Sequence, residues 1–437
     1  MLKQFAKISF RNILYAPRKS LLAILAVSAC YFSLNIFQGY IAGSEIIFLD
    51  SYSQRSMLGD LVIRKSGIRH MLSMDPDDLV SEEEQAKIDA ILQKIGGVDI
   101  KVRFLRVIGT LTNGSAQMIF TGSGVDVDQG IKMRQPHWGW NTLAGKPLED
   151  NEAPKILVGQ TLGNLLHCSP ATKENFITGL GGYSAKERPM NCPNPKIQLQ
   201  TATLNGQANA VEVEIIGLVD SMFRELDQRF IYIPLPVAQR LLDTKRISFY
   251  AIRLLPGTHE DEFLQQFREE AKVQGLNLTA HSWKQDEIGD FYHRTMDFLH
   301  VFRNFMVIVI LSVALLSIFN TFYRSVQERI REIGVLRTLG FQLSHVRSLF
   351  LVETFFLSLF GIGIGAALSI SVAFLFQRIT LLYKIGLLTQ PVPFLISMHP
   401  LTMLWTALTV IFVAQLAALI PLLIMGRKQI TEALTST

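Results

Sequence analysis

Four uninterrupted apolar windows dictate what this chain can become. They fall at 20–41, 298–322, 349–376 and 401–423, and each meets the ~20 residues a helix needs to cross ~30 Å of hydrocarbon. Backbone groups at that depth have no water to bond, so each window is read as a transmembrane helix. Between the first and second lies a polar segment, 43–297, long enough for one sizeable or two small folded domains. The expected fold class is therefore a membrane protein: four transmembrane α-helices with a large α+β extracytoplasmic domain, in two lobes, inserted between helices 1 and 2. Its expected parts are an amphipathic cytoplasmic elbow at 1–18, helices at 19–42, 298–323, 349–377 and 401–424, and the inserted domain with helical stalks at 43–297. A cytoplasmic loop at 324–348 and a tail at 425–437 complete it. Composition agrees, with 49% apolar and only 18% charged residues.

Orientation follows from the basic flanks. Lys3, Lys7, Arg11, Arg18 and Lys19 precede the first window; Arg324, Arg329, Arg331, Arg337 and Arg347 fill the loop after the second; Arg427 and Lys428 follow the fourth. The connection between the third and fourth carries only Arg378 and Lys384. Both termini and the 324–348 loop are thus expected in the cytoplasm of a multi-pass inner-membrane protein, with the inserted domain outside. The net charge of +5 is a topology signal, and nucleic-acid binding is not expected.

Within the inserted segment, 59–64, 102–111, 117–121, 197–203, 211–219, 229–234 and 249–254 read as strands, and 81–95, 235–242 and 259–273 as helices. SEEE from Ser81 is an N-cap followed by first-turn acids. Glycines and turn-formers at 113–145 suggest a loop-heavy junction between lobes. Both edges of the segment read as helical stalks: 44–57 continues the first window outward, and 284–299 sets Ile288, Phe291, Tyr292, Met296 and Leu299 at helical spacing before the second.

The most charged stretch is RSVQERIREIGVLRTLGFQLSHVR, 324–347, tethered at both ends to membrane spans. It is too short to fold alone. A short amphipathic helix with Ile333 and Leu336 on one side suits a groove on a partner; a solvated connector is the alternative. Glu353 lies one turn inside the third window, where it is expected to reach water or an arginine of the loop.

Other chemistry is sparse. No phosphate-cradling loop is legible: GWNTLAGKP has the wrong spacing between Gly139 and Gly145, and Pro147 stands where a Mg²⁺-binding hydroxyl belongs. His293 and His300 are seven apart with no completing ligand, so no metal site is expected. Asp75, Asp77 and Asp78 read as a solvated turn. Asn35, Gln38, Asn320 and Gln415 within the windows either line a polar path or bond between helices. Gly361, Gly363 and Gly365 form a small-residue face, for close packing or for a bend. Cys168 and Cys192 bracket a Gly-, Asn- and Pro-rich region; in an oxidising compartment they can close a loop of roughly 25 residues, worth ~3 kcal/mol. Two unpaired thiols are the alternative.

Taken with QERIREIGVLRTLGF after the second window, the layout of one span, a large outer domain and three spans resembles the MacB/LolC/FtsX permease family of ABC transporters. Its most specific part is the Arg-Glu-Ile-Gly-x-Leu-Arg-x-Leu-Gly core from Arg331 to Gly340. Residues 213–242 also look like a segment of LolC- and LolE-like members, and FRNILYAPRKSLLAILAV like the family's elbow and first span. The resemblance implies a non-catalytic permease that pairs with a second copy or a related permease. A separate cytosolic ABC ATPase binds the ATP and Mg, so no cofactor is expected in this chain. Glu328, Arg329, Glu332, Ile333, Gly334, Leu336, Arg337 and Gly340 are the residues that would contact that ATPase. Lipoprotein release to a periplasmic lipoprotein carrier is the implied function. FtsX-like signalling to a cell-wall hydrolase and MacB-like efflux of periplasmic substrates are the alternatives.

Overall fold

The computed structural model describes residues 17–68, 73, 75–114, 117–134, 142–171, 189–221, 223–285, 287–328, 338, 342–379, 381–383, 389 and 391–425. In chain order, α1 (Pro17–Asp50) ends in a π-helical turn, Ser51–Arg55, and leads to β1 (Leu61–Lys65), α2 (Glu82–Ile95) and β2 (Val98–Thr112). Then come β3 (Gln117–Val125), α3 (Val127–Met133), β4 (Thr142–Gly145), β5 (Lys155–Gly159), α4 (Gln160–Leu165), β6 (Ser169–Pro170) and β7 (Met190–Asn191). β8 (Lys196–Ala202), β9 (Ala208–Val219), α5 (Arg224–Asp227), β10 (Phe230–Pro234), α6 (Leu235–Leu242), β11 (Phe249–Leu254), α7 (Glu260–Val273) and β12 (Leu278–Ser282) complete the inserted domain. The remainder is α8 (Asp290–Glu328), α9 (Leu343–Arg378), the short strands β13 (Leu382–Tyr383) and β14 (Val392–Pro393), and α10 (Pro400–Met425).

Contacts divide the chain into two units. One comprises Met1–Ser44, Met296–Ile379 and Phe394–Thr437; the other comprises Glu45–Thr295 and Thr380–Pro393. In the first, α1, α8, α9 and α10 are each long and apolar enough to cross a bilayer. The small-residue face is a packing face and not a bend, since α9 runs unbroken through it. A Cβ on Gly361 would sit 2.7 Å from the Val27 Cβ, and one on Gly365 would sit 2.8 Å from the Ser28 carbonyl oxygen. Only glycine lets α1 approach α9 this closely. Gly363 points elsewhere, with nothing within 4 Å. Polar residues bond across the same bundle: Thr406 Oγ1 donates to Gln38 Oε1 at 3.2 Å, and Gln415 Nε2 to the Leu351 carbonyl at 3.3 Å. Asn35 donates within its own helix to the Tyr31 carbonyl. Asn320 is exposed on α8.

The second unit is a mixed α+β body. Its ten-stranded sheet runs β12-β1-β11-β2-β3-β10-β5-β9-β4, and β8 pairs with both β2 and β9. That last pairing closes a ring: β2, β3, β10, β5, β9 and β8 form a six-stranded barrel. Alternate side chains such as Val107, Phe120, Ile197, Leu199, Val213, Ile231 and Ile233 are buried in its core. Closure depends on Gly109, where a Cβ would lie 2.2 Å from the Gln200 carbonyl oxygen of β8. Amphipathic α6 buries Leu235, Val237, Ala238, Leu241 and Leu242 against the barrel strands. The fifteen residues of β2 continue past the barrel, where Val98–Phe104 pair with β11 to give a second lobe, β12-β1-β11-β2, covered by α2 and α7. The two lobes therefore share one strand and one apolar core. The 113–145 stretch is not the expected loop-heavy junction, because β3 and α3 fill residues 117–133 of it. Helix α2 starts as the sequence implies, with a capping box in which the Ser81 N–H donates to Glu84 Oε2 at 2.8 Å and Ser81 Oγ accepts from the Glu84 N–H.

Candidate functional site

The loop expected to contact an ATPase lies between the end of α8, at exposed Glu328, and the start of α9 at Leu343. Val326, Val346, Phe350 and Leu422 form a buried apolar knot that ties α8, α9 and α10 together beside this opening. Arg329, Glu332, Ile333, Gly334, Leu336, Arg337 and Gly340 lie outside the described residues; Thr338 between them is helical. Glu353 is only 6% exposed on α9, so of the two expectations for it, water is not the one met. The elbow at 1–16 also lies outside the described residues.

Within the second unit, the end of α1 and the start of α8 are clamped to the inserted domain by aromatic rings. Tyr52 stacks on Trp283 with ring centroids 4.7 Å apart and planes 8° from parallel. Tyr292 meets both rings edge-on, and Phe223 meets Phe291 edge-on at 4.4 Å. Tyr52 and Trp283 are 5% and 2% exposed, so this contact is an interior one. Around it, Arg55 spans two carboxylates, 3.9 Å from Asp50 and 3.5 Å from Asp220, and the Tyr292 hydroxyl donates to Glu45. The π-helical turn at Ser51–Arg55 is what aims Tyr52 and Arg55 here.

Helix α8 starts at Asp290 and not at 284, after two 3₁₀ turns, Trp283–Gln285 and Glu287–Gly289. Gly289 packs onto their carbonyls, where a Cβ would come within 2.5 Å of the Lys284 oxygen. Sequence periodicity places Phe291, Tyr292 and Met296 on one face but misses Tyr52, Trp283, Arg55 and Asp220. The legible signal is a Tyr within one stalk and a Trp just before the other.

Cys168 and Cys192 are joined as a disulfide that closes the segment carrying β6 and β7. Asp75, Asp77 and Asp78 form a self-capped 3₁₀ turn, with the Asp75 carboxylate accepting from the Asp77 N–H. His293 contacts the Lys284 carbonyl. Among the described residues no group of three or more His, Cys, Asp or Glu side chains is placed to hold a metal.

A family model described as FtsX-like permease C-terminal matches residues 304–430, the stretch holding most of α8, all of α9 and α10, and the loop between α8 and α9. The macrolide export ATP-binding/permease protein MacB of Salmonella choleraesuis is 25% identical over 183 residues, covering 41% of this chain and 28% of that one. MacB of Escherichia coli K12 is 25% identical over 176 residues, covering 39% and 27%. Residues 304–430 therefore match an FtsX-like permease domain, and the chain is similar to permeases of the MacB/FtsX type. It spans less than a third of the length of these curated relatives. Two solved structures are similar to part of this chain. The periplasmic region of MacB from Actinobacillus actinomycetemcomitans has a TM-score of 0.35 and 9% identity, covering 56% of this chain and 95% of that one. The extracellular domain of the noncanonic ABC-type transporter YknZ from Gram-positive bacteria has a TM-score of 0.33 and 13% identity, covering 51% and 100%. At these values the structural likeness adds nothing to the assignment. Four helices long and apolar enough to cross a membrane accompany that match.

Proposed function

We propose that this permease transmits nucleotide-driven movement of a separate cytosolic ATPase to a periplasmic domain, and that its cargo is lipid-anchored protein released from the inner membrane. In this reading the ATPase grips 328–340, with Arg329, Glu332, Arg337 and the turn at Gly340 as the contact residues. Both termini then lie in the cytoplasm. The permease acts as a pair, with a second copy or a related permease, and hands cargo to a periplasmic carrier. The observation that carries the mechanical part is the aromatic clamp: a helix end stapled through Tyr52, Trp283 and Tyr292 cannot shift without moving the strands attached to it. Helix α8 supports it as well, being one uninterrupted run of 39 residues, ~58 Å at 1.5 Å per residue.

The cargo rests on the likeness of residues 213–242 to LolC- and LolE-like members. Those residues supply most of β9 together with α5, β10 and α6. MacB-like efflux is the second reading, favoured by the curated relatives that match; FtsX-like signalling is favoured by the family model over 304–430. Depleting the protein separates them. Lipoprotein release predicts lipid-modified proteins accumulating in the inner-membrane fraction on density gradients. Correct sorting of those proteins contradicts it, with macrolide sensitivity then indicating efflux and a septation defect indicating signalling.

A further inference from the structure

The inserted domain contains a cavity of about 280 Å³, one side of which is formed by the aromatic clamp. Six rings contribute to its wall: Tyr52, Phe104, Phe223, Phe230, Tyr232 and Phe291. At ~30 Å³ per water-sized group it has room for roughly nine methylene-sized groups, near the small end of ligand pockets.

One side chain in that wall is out of place among rings. Arg106 is deprived of water, which pulls its pKa below the ordinary arginine value, though a guanidinium remains charged. Its Nη1 donates to Ser123 Oγ at 2.6 Å, its guanidinium lies over the Phe249 ring at 5.6 Å, and its Nε has no partner. No carboxylate pairs with it among the described residues. The contrast with Arg103 on the same strand is direct. Arg103 makes a two-pronged pair with Asp126, Nε to Oδ2 and Nη2 to Oδ1, both at 2.8 Å, which raises its pKa. The carboxylate that lines the cavity, Asp220, is engaged by Arg55 and by Thr389. A second partly buried guanidinium, Arg134, sits over the Tyr232 ring at 4.8 Å. A permanent cation held without a counter-charge is costly. An anion entering the cavity removes that cost, and the rings reward an apolar tail behind it.

We propose that this cavity binds a small amphipathic anion, with a carboxylate or phosphate on Arg106 and an alkyl chain of roughly eight carbons among the rings. The site does not rest on the cargo proposed above, since its walls belong to one unit and its recognition chemistry is local. The ligand comes either from a free amphiphile or from the head and first carbons of a membrane lipid.

The test uses the full chain in a neutral maltoside detergent and isothermal titration with octanoate, octanol and octyltrimethylammonium, each corrected for detergent alone. Saturable one-to-one binding of octanoate is expected, with octanol and the cation roughly tenfold or more weaker. Arg106→Gln should weaken octanoate at least about tenfold. Leu226→Trp, at a partly exposed lining position, should block it while leaving Arg106 intact; thermal melts verify that both variants fold. Displacement of octanoate by dioctanoyl phosphatidic acid supports a lipid headgroup as the source, and no displacement supports a free amphiphile. Two results overturn the proposal: octanoate and octanol partitioning equally in wild type and Arg106→Gln, or inorganic phosphate binding as tightly as octanoate, which would leave the rings without a role.

Discussion

Gly361 and Gly363 are two residues apart on one helix, yet a side chain at each would meet different surroundings. At Gly361 any Cβ runs into Val27, whereas Gly363 has open space. Gly361→Leu should therefore force α1 and α9 apart and destabilise the bundle by ~1–3 kcal/mol, lowering the melting temperature in detergent. Gly363→Leu should leave it unchanged; equal effects would count against the packing. By residue type the glycines read as one small-residue face, but at ~100° per residue Gly361 and Gly365 share a side of the helix and Gly363 lies opposite. Cysteine is similar. The pair Cys168 and Cys192 is plain in the sequence, but their pairing depends on β6 and β7 bringing the ends together. Cys168→Ser should abolish a mobility shift on non-reducing gels and cost ~3 kcal/mol of domain stability by freeing the closed loop. A wild-type protein that runs identically with and without reductant would mean free thiols.

At the scale of elements, strands with one buried face were legible because their side chains alternate. β8 buries Ile197 and Leu199 and exposes Lys196 and Gln198, and it lies where the pattern places it. β5 was not legible. Its five residues, KILVG, are buried on both faces after Lys155, so no alternation survives. Barrel closure was equally hidden, since it joins Ile108 to Thr201 across 93 residues and depends on a glycine whose neighbour no local pattern names. The stalks were half legible: apolar spacing marks the helices, but the clamp is tertiary. Trp283→Ala should remove the ring that Tyr52 stacks on and cost ~3–5 kcal/mol locally. Nucleotide-dependent protease protection of the inserted domain should be lost while the copurified ATPase still hydrolyses ATP. Trp283→Phe, which keeps a ring, should restore the protection. Protection that survives in Trp283→Ala would show that force takes another route.

The whole molecule was the most legible scale, for a physical reason. A bilayer imposes a length and an apolarity on every span, and these are visible without any partner, whereas a contact role proposed for residues 329–340 acquires meaning only against a partner surface. The central claim is that movement entering at that loop is delivered to the inserted domain. Electron–electron distance measurement tests it most directly, with a spin label at position 273, where Val273 is 81% exposed on α7, on both permeases of the ATPase-bound complex. The account predicts that the distance distribution shifts between the nucleotide-free and ATP–vanadate states. It also predicts that the Glu332→Ala, Arg337→Ala double substitution abolishes the shift without expelling the protein from the membrane. Identical distributions in the two states, or a shift that persists in the double variant, would contradict it.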